Sequence, residues 1–201
     1  MTDRYALFGH PLSHTKSPLI HMTFARQADQ DIDYQAIEAP LGRFPDALHA
    51  FIAGGGRGCN VTAPFKLEAS ALATRRLPRA EIAGAANCLK FEGSEIIADN
   101  FDGIGLLTDI EVNLGQPLAG KRVLLLGAGG AARGALLPFL DAGPAALMLV
   151  NRTVEKAHAL ARQFAGHGPI TSGGYADLAD QRFDIVINAT SASLRGEMPP
   201  V

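Results

Sequence analysis

Val123-Leu124-Leu125-Leu126-Gly127-Ala128-Gly129-Gly130-Ala131-Ala132 decides the fold, because four apolar residues pass directly into a G-x-G-x-x-A turn and a helical pattern over 131–140 follows. Four apolar residues without polar alternation describe a strand covered on both faces. The first glycine permits a tight turn, the second lets backbone N–H groups approach a pyrophosphate, and the small third residue lets the helix pack close to the strand. The diphosphate would rest on the helix N-terminus, where unpaired N–H groups and the dipole favour negative charge. Two more apolar runs follow, Ala146-Leu147-Met148-Leu149-Val150 and Ile185-Val186-Ile187. Between them a helix over 154–165 carries Val154, Ala157, Leu160, Ala161 and Phe164 on one face. Buried strands alternating with helices predict an α/β, Rossmann-like doubly wound parallel-sheet domain.

The end of the second strand chooses the cofactor. A free ribose 2′-hydroxyl calls for an acidic residue there, and a 2′-phosphate calls for a cation. The sequence offers Asn151-Arg152-Thr153, with Lys156 one helical turn later. Arginine presents a planar fork suited to phosphate and lysine adds a point charge, so NADP is expected. Cations at a helix N-terminus oppose the dipole, which argues for an anionic guest beside them.

Working outward, Arg4 to Phe8 reads as a strand, and Ser17-Pro18 as the cap and first turn of a helix toward Ala28. A strand over 34–39, a helix over 44–53 stopped by Gly54-Gly55-Gly56, and a strand over 58–62 come next. Pro64 is expected to open another helix, and 87–91 with 95–98 to form a hairpin or a pair of short strands. From Asp102 a helix places Ile104, Leu107, Ile110 and Leu114 on one face. The domain boundary is set on this helix, giving an α/β domain over 1–101 and the dinucleotide domain over 102–201. Asn60 and Thr62 are two apart on a strand and share a face, while Lys66 falls in the next helical turn. A helix cap accounts for Ser17, turns for Asn87 and Asn100, and an N-cap for Asp102, when each is taken alone. Their joint occurrence points to a polar site at the strand ends.

Composition narrows the function. At 201 residues and 47% hydrophobic content the chain can bury a sizeable core, its length lies between that of one large domain and that of two small ones, and its net charge of −2 gives a nucleic-acid backbone no footing. Its longest apolar stretch, Val123 to Ala132, is far short of the ~20 residues that span a bilayer, so no membrane partner is expected. A strand begins almost at Met1, leaving no room for a leader, and a cytoplasmic protein is expected. Cys59 and Cys88 read as small buried apolar groups, and the six histidines show no ligand spacing, so no metal is expected.

The motifs now on the page resemble the shikimate dehydrogenase family. They are Phe8-Gly-His-Pro-Leu12, Ser17-Pro18, Asn60-Val-Thr62 with Pro64-Phe-Lys66, Ala83-Gly-Ala-Ala-Asn87, Asp99-Asn-Phe-Asp-Gly103, the glycine turn from Gly127, Asn151-Arg-Thr153 and Asn188-Ala-Thr-Ser191. The resemblance implies an NADPH-dependent reduction of 3-dehydroshikimate to shikimate in aromatic amino-acid biosynthesis. It implies that Thr15, Ser17, Asn60, Thr62, Lys66, Asn87 and Asp102 hold the substrate, with Lys66 and Asp102 as the catalytic pair. Gly127, Ala128, Gly129, Gly130, Ala131, Asn151, Arg152, Thr153, Lys156 and Thr190 fall at its cofactor positions.

The chain departs from the family pattern in carrying Thr15 in place of Ser, and Phe101 and Cys88 in place of Thr. Ala63 and Ala86 stand where the family commonly has Val. Phe101 is expected to set an aromatic ring beside Asp102. About four strands follow Lys121 where the doubly wound order needs six, so the second domain is expected to be truncated before its last strands; were Val201 the true end, the strand over 185–189 would be an exposed apolar edge. A shikimate/quinate dehydrogenase with broader cofactor use and a non-catalytic binding module remain as alternatives. A monomer or homodimer is expected.

Overall fold

The computed structural model describes residues 2–192 and 197–200. The chain divides into two compact units, Met1–Asn100 and Phe101–Val201. In the first, β1 (Asp3–Gly9), α1 (Ser17–Gln27), β2 (Ile32–Glu38), α2 (Phe44–Ala53), β3 (Gly56–Val61), α3 (Lys66–Leu72), β4 (Arg75–Arg76), α4 (Pro78–Ala83), β5 (Cys88–Glu92) and β6 (Glu95–Asp99) follow in order. Six strands form one sheet in the order β2-β1-β3-β5-β6-β4. β1 runs parallel to β2 and β3, while β5 is antiparallel to β3 and β6. Parallel neighbours need crossovers, and α1 and α2 supply them, so the loops after β1 and β3 emerge at the same end of the sheet.

One face of this sheet buries Ala6, Phe8 and Val61 against Phe44, Leu48 and Phe51 of α2. The Phe44 and Phe65 rings stack at 5.0 Å. That stack explains a difference from expectation. Pro64 opens no helix: Phe65 donates its N–H to the Thr62 carbonyl at 3.0 Å, the turn carries the ring into the core, and α3 starts at Lys66. Gly56, expected in the helix stop, is already strand, because a Cβ there would lie 2.3 Å from the Phe51 ring. On the other face Leu7 and Tyr34 gather with Leu12 and Met22. Ser17 caps nothing with its side chain; it is the first residue of α1, and its N–H donates to the Thr15 hydroxyl at 3.3 Å.

In the second unit α5 (Asp102–Thr108) continues into a π-turn (Asp109–Asn113), followed by β7 (Arg122–Leu126), α6 (Gly130–Asp141), β8 (Ala146–Val150), α7 (Val154–Phe164), β9 (Ile170–Gly173), a short 3-10 turn (Tyr175–Leu178) and β10 (Ile185–Asn188). The four strands pair in parallel in the order β10-β7-β8-β9, which is the 3-2-1-4 portion of the doubly wound order. Leu124, Leu126, Met148 and Val150 face Tyr175, Leu178 and Phe183. Their alternate neighbours Val123, Leu125, Leu147 and Leu149 are also buried, as the unbroken apolar runs require. β9 is a partly polar edge strand that the apolar pattern alone does not single out.

Only part of the face that periodicity marks on α5 is used: Ile110 is buried and Leu107 half-buried, and the buried Gly103 joins them, whereas Ile104 and Leu114 are exposed. A Cβ on Gly103 would lie 2.2 Å from the Gly134 carbonyl oxygen and 2.8 Å from Ala135 Cα, so the absence of a side chain lets α5 touch the backbone of α6. Gly103→Ala must push two helix backbones apart. Overpacking of this kind costs roughly 1–3 kcal/mol, against about 1 kcal/mol regained by replacing a helical glycine. Because backbone and not a flexible side chain stands in the way, the upper end of that cost applies, and a net loss of about 2 kcal/mol in urea unfolding is expected for this variant; an unchanged midpoint would show that the two helices are not in backbone contact.

Candidate active site

Backbone hydrogen bonds draw the polar residues of the first unit to one end of its sheet. Thr62 N–H donates to the Phe8 carbonyl at 2.8 Å and His10 N–H to the Ala63 carbonyl at 3.0 Å, which lays the loop after β1 against the loop after β3. The Asn87 carbonyl accepts Val61 N–H at 2.9 Å, and Ala86 N–H donates to the Lys66 carbonyl at 2.8 Å, which sets the start of β5 beside the start of α3. Asn60, Thr62, Lys66 and Asn87, all half-buried, are thus brought together. The Asn60 amide accepts the Tyr34 hydroxyl at 2.8 Å and donates to the Asn87 carbonyl at 3.4 Å. Thr15 and Ser17 lie in the loop after β1 and at the head of α1, their hydroxyls 3.3 Å apart. Asp102 belongs to the second unit, as the first residue of α5.

Three supports escaped the sequence reading. Glu38 accepts Leu12 N–H at 3.0 Å and sits 3.2 Å from His10 Nδ1, tying the Thr15 loop to the end of β2. Arg79 of α4 pairs through two guanidinium nitrogens with Asp99, whose Oδ1 also accepts Asn100 N–H at 2.8 Å. Tyr34 reaches Asn60 from β2. Burial on the strand end next to Asn100 signals that Asp99 needs a cation, but nothing in the spacing names Arg79 as the donor. Phe101 is 47% exposed. Cys88 faces the same side of the sheet as Asn60, its partner in the β3–β5 ladder. Burial, then the neighbouring Asp99 charge, pushes the Cys88 thiol above its ordinary range, and burial does the same at Cys59.

A groove of about 800 Å³ runs across the unit, lined by His21 and Phe24 of α1 and by Tyr34, Gly58, Asn60 and Lys90 of the sheet. Of the expected substrate residues it holds Asn60 alone, so its volume is not a measure of the candidate site; the convergence of hydrogen-bonding groups at the strand ends is the better guide.

The second unit carries the other half of the expected chemistry. Gly127 adopts φ 106°, open to glycine at little cost, and its N–H donates to the Val150 carbonyl at 2.7 Å. A Cβ there would meet the Ala189 carbonyl at 3.0 Å, whereas the space above Gly129 is open. The turn is therefore pinned on its sheet side and clear on the other, and it leads straight into α6, whose first residue is Gly130. Ala128 is half-buried, Ala131 is exposed and Ala132 is buried. The turn fits a diphosphate, since a side chain at Gly129 would occupy that open space. Asn151 donates from Nδ2 to the Thr153 carbonyl at 2.9 Å, shaping the turn after β8 that exposes Arg152 and Lys156. After β10, Asn188 Oδ1 accepts both the N–H of Thr190 at 3.0 Å and its hydroxyl at 2.7 Å. Among the described residues no group of three His, Cys, Asp or Glu could hold a metal ion, and no helix is long and apolar enough to cross a membrane.

The order of the second sheet and its glycine turn place the chain among the Rossmann-like α/β proteins. Residues 7–89 match the family described as shikimate dehydrogenase substrate binding domain, and residues 110–195 match shikimate / quinate 5-dehydrogenase. A shikimate dehydrogenase (NADP(+)) from Nitrosospira multiformis is 54% identical over all 201 residues, which cover 73% of that relative. The crystal structure of an Ael1 enzyme from Pseudomonas putida superposes with a TM-score of 0.89 at 56% identity, over the whole of this chain and 73% of the other. A shikimate 5-dehydrogenase from Thermus thermophilus, solved in complex with NADP(H) and shikimate, gives 0.81 at 30% identity over 94% of this chain and 69% of its own. The chain belongs to the shikimate dehydrogenase family.

His21 yields a pH test of the first unit. Its ring stacks on Tyr34 at 4.2 Å, and burial holds its pKa below the ordinary 6.5. The folded chain then binds a proton less readily than the unfolded one, so this residue's contribution to stability is complete above pH 6.5 and is lost as pH falls below it. The stability of the unmodified chain relative to His21→Phe is expected to fall between about pH 7.5 and 5 in urea titrations. A difference independent of pH would mean that His21 titrates as if exposed.

Proposed function

We propose that the chain is an NADP-dependent shikimate dehydrogenase that interconverts 3-dehydroshikimate and shikimate in aromatic amino-acid biosynthesis. In this proposal residues 1–101 form the substrate-binding and catalytic domain and residues 102–201 the NADP-binding domain of a cytoplasmic monomer or homodimer. The gathering of Asn60, Thr62, Lys66 and Asn87 at one sheet end is the observation that carries it. NADPH, when bound, supplies the hydride. Gly127, Ala128, Gly129, Gly130 and Ala131 would hold its pyrophosphate, Asn151, Arg152, Thr153 and Lys156 its phosphorylated ribose, and Thr190 would border the turn.

Reducing a ketone leaves an alkoxide that needs a proton, and the reverse reaction needs a base at the same oxygen. The Lys66 ammonium gives that proton and its amine takes it back. The family resemblance assigns Asp102 as the second member of the catalytic pair, whose carboxylate would orient the ammonium. Thr15 and Ser17 offer hydroxyls to the substrate carboxylate, while Asn60, Thr62 and Asn87 hydrogen-bond its ring hydroxyls. A polar site of this kind discriminates strongly, because an analogue lacking a hydroxyl leaves a half-buried amide without a partner.

The test follows NADPH absorbance with 3-dehydroshikimate, alongside NADPH binding by calorimetry. Lys66→Ala is expected to lower kcat by roughly 10²–10⁴-fold, the usual range for general acid–base catalysis, with NADPH affinity unchanged. Full turnover in that variant would remove Lys66 from the chemistry. Arg152→Ala is expected to weaken NADPH binding by about tenfold or more, as losing a charge-assisted phosphate contact does, and to leave NADH binding as it was. NADPH binding without oxidation would instead identify a binding module. Comparable rates with NADH and on quinate would identify the broader enzyme.

A further inference from the structure

We propose that Tyr34 is a positioning residue for the substrate: its hydroxyl locks the Asn60 side-chain amide in the one orientation that presents N–H, not C=O, toward the Asn87 side of the site. The inference rests on the assignment of Asn60 to the substrate site.

The two residues stand on strands that are not neighbours. β1 lies between β2 and β3, with Tyr34 paired to Tyr5 and Asn60 to Leu7, so the phenol must reach diagonally across a strand to the amide. Gly58, which pairs with Tyr5, carries no side chain to stand in the way. The hydroxyl meets Asn60 Oδ1 at 2.8 Å, and Asn60 Nδ2 meets the Asn87 carbonyl at 3.4 Å. The two ends of an asparagine amide are nearly the same size, so shape alone does not choose between an orientation and its flip; hydrogen-bond partners do.

Here both partners choose alike. The Asn87 carbonyl can only accept, so it takes the NH2 end. Burial raises the Tyr34 phenol above its ordinary pKa, so it stays protonated and donates to the oxygen end. A flipped amide would set carbonyl against carbonyl at Asn87. The second Nδ2–H is left for a ligand oxygen. Tyr34 is itself held, at 6% exposure, with its ring 4.2 Å from and 5° off the plane of His21. The path from α1 through β2 to the site residue on β3 is a continuous chain of one ring stack and two hydrogen bonds, which is the support that a group meeting a substrate hydroxyl with fixed polarity requires.

Tyr34→Phe removes the hydroxyl and keeps the stacked ring. In the full chain, shikimate affinity by calorimetry and KM for 3-dehydroshikimate are expected to weaken by about five- to tenfold, the usual worth of one hydrogen bond, with kcat and NADPH affinity little changed. In an Asn60→Ala background the same substitution is expected to add nothing, since a residue acting through Asn60 has nothing left to act on. In the amide spectrum of Tyr34→Phe the Asn60 side-chain pair is expected to move while the rest stays in place. Unchanged shikimate affinity, a Tyr34 effect that adds in full to that of Asn60→Ala, or an unmoved Asn60 pair would each overturn the inference. An Asn60→Ala variant that binds shikimate normally, or an unmodified chain that binds none, would instead remove the site assignment and the inference with it.

Discussion

A carboxylate that is 6% exposed at the end of a strand needs a cation and further donors, and the first unit is arranged around that requirement at Asp99. Arg79 reaches it from α4, which fixes α4 against the end of β6. The backbone of the same residue accepts Asn87 N–H, and Asn100, more buried still, donates from Nδ2 to the Ala85 carbonyl at 3.0 Å. The segment 85–87 is thus held on both sides, by Asp99 and Asn100 and by the Lys66 and Val61 backbone. Removing one partner of a buried pair costs about 3–5 kcal/mol, less here because the Arg79 side chain is 38% exposed. The pair therefore matters less for total stability than for geometry: through it the half-buried Asn87 and the first residue of α3 keep a fixed separation.

Parallel pairing sets where the candidate residues of each unit gather. Strands that run the same way end at the same edge, and open α/β sheets bind ligands just beyond the carboxyl ends. In the first unit β1 and β3 end together and deliver Thr15, Thr62 and Lys66. In the second β7, β8 and β10 end together and deliver Gly127, Arg152 and Thr190. The antiparallel β5 enters that pattern from the opposite direction, so it contributes its first residues, and Asn87 lies immediately before it.

The second unit was the more legible of the two. Val123 to Leu126 and Ala146 to Val150 are buried on both faces and therefore unbroken in hydrophobicity, so their boundaries fall close to where the pattern puts them. A glycine at positive φ followed by small residues leaves a local signature. The first unit depends on partners far apart in sequence: Arg79 with Asp99, Glu38 with Leu12, Tyr34 with Asn60. Spacing does not encode such pairs, which is why the site residues could be gathered by pattern and resemblance but their supports could not. The part that Gly103 plays in the packing of α5 escaped for another reason: periodicity counts apolar side chains and finds Leu107 and Ile110, but it passes over a contact made through a residue that has no side chain.

The polar groups of the two units differ in the kind of ligand they suit. Arg152 and Lys156 stand exposed on long side chains beyond β8, and they are suited to a phosphate dianion, which accepts charge from many directions. Asn60, Thr62 and Asn87 are half-buried, on short side chains, beside strands whose backbone is paired. A sugar-like ring with several hydroxyls is distinguished from its isomers only by where donors and acceptors lie, so short side chains with few rotamers on a rigid sheet suit it better than flexible cations. The division is consistent with the exposures: charge attracts where attraction suffices, and hydrogen-bond polarity, set by groups as remote as Tyr34, decides where selection is needed.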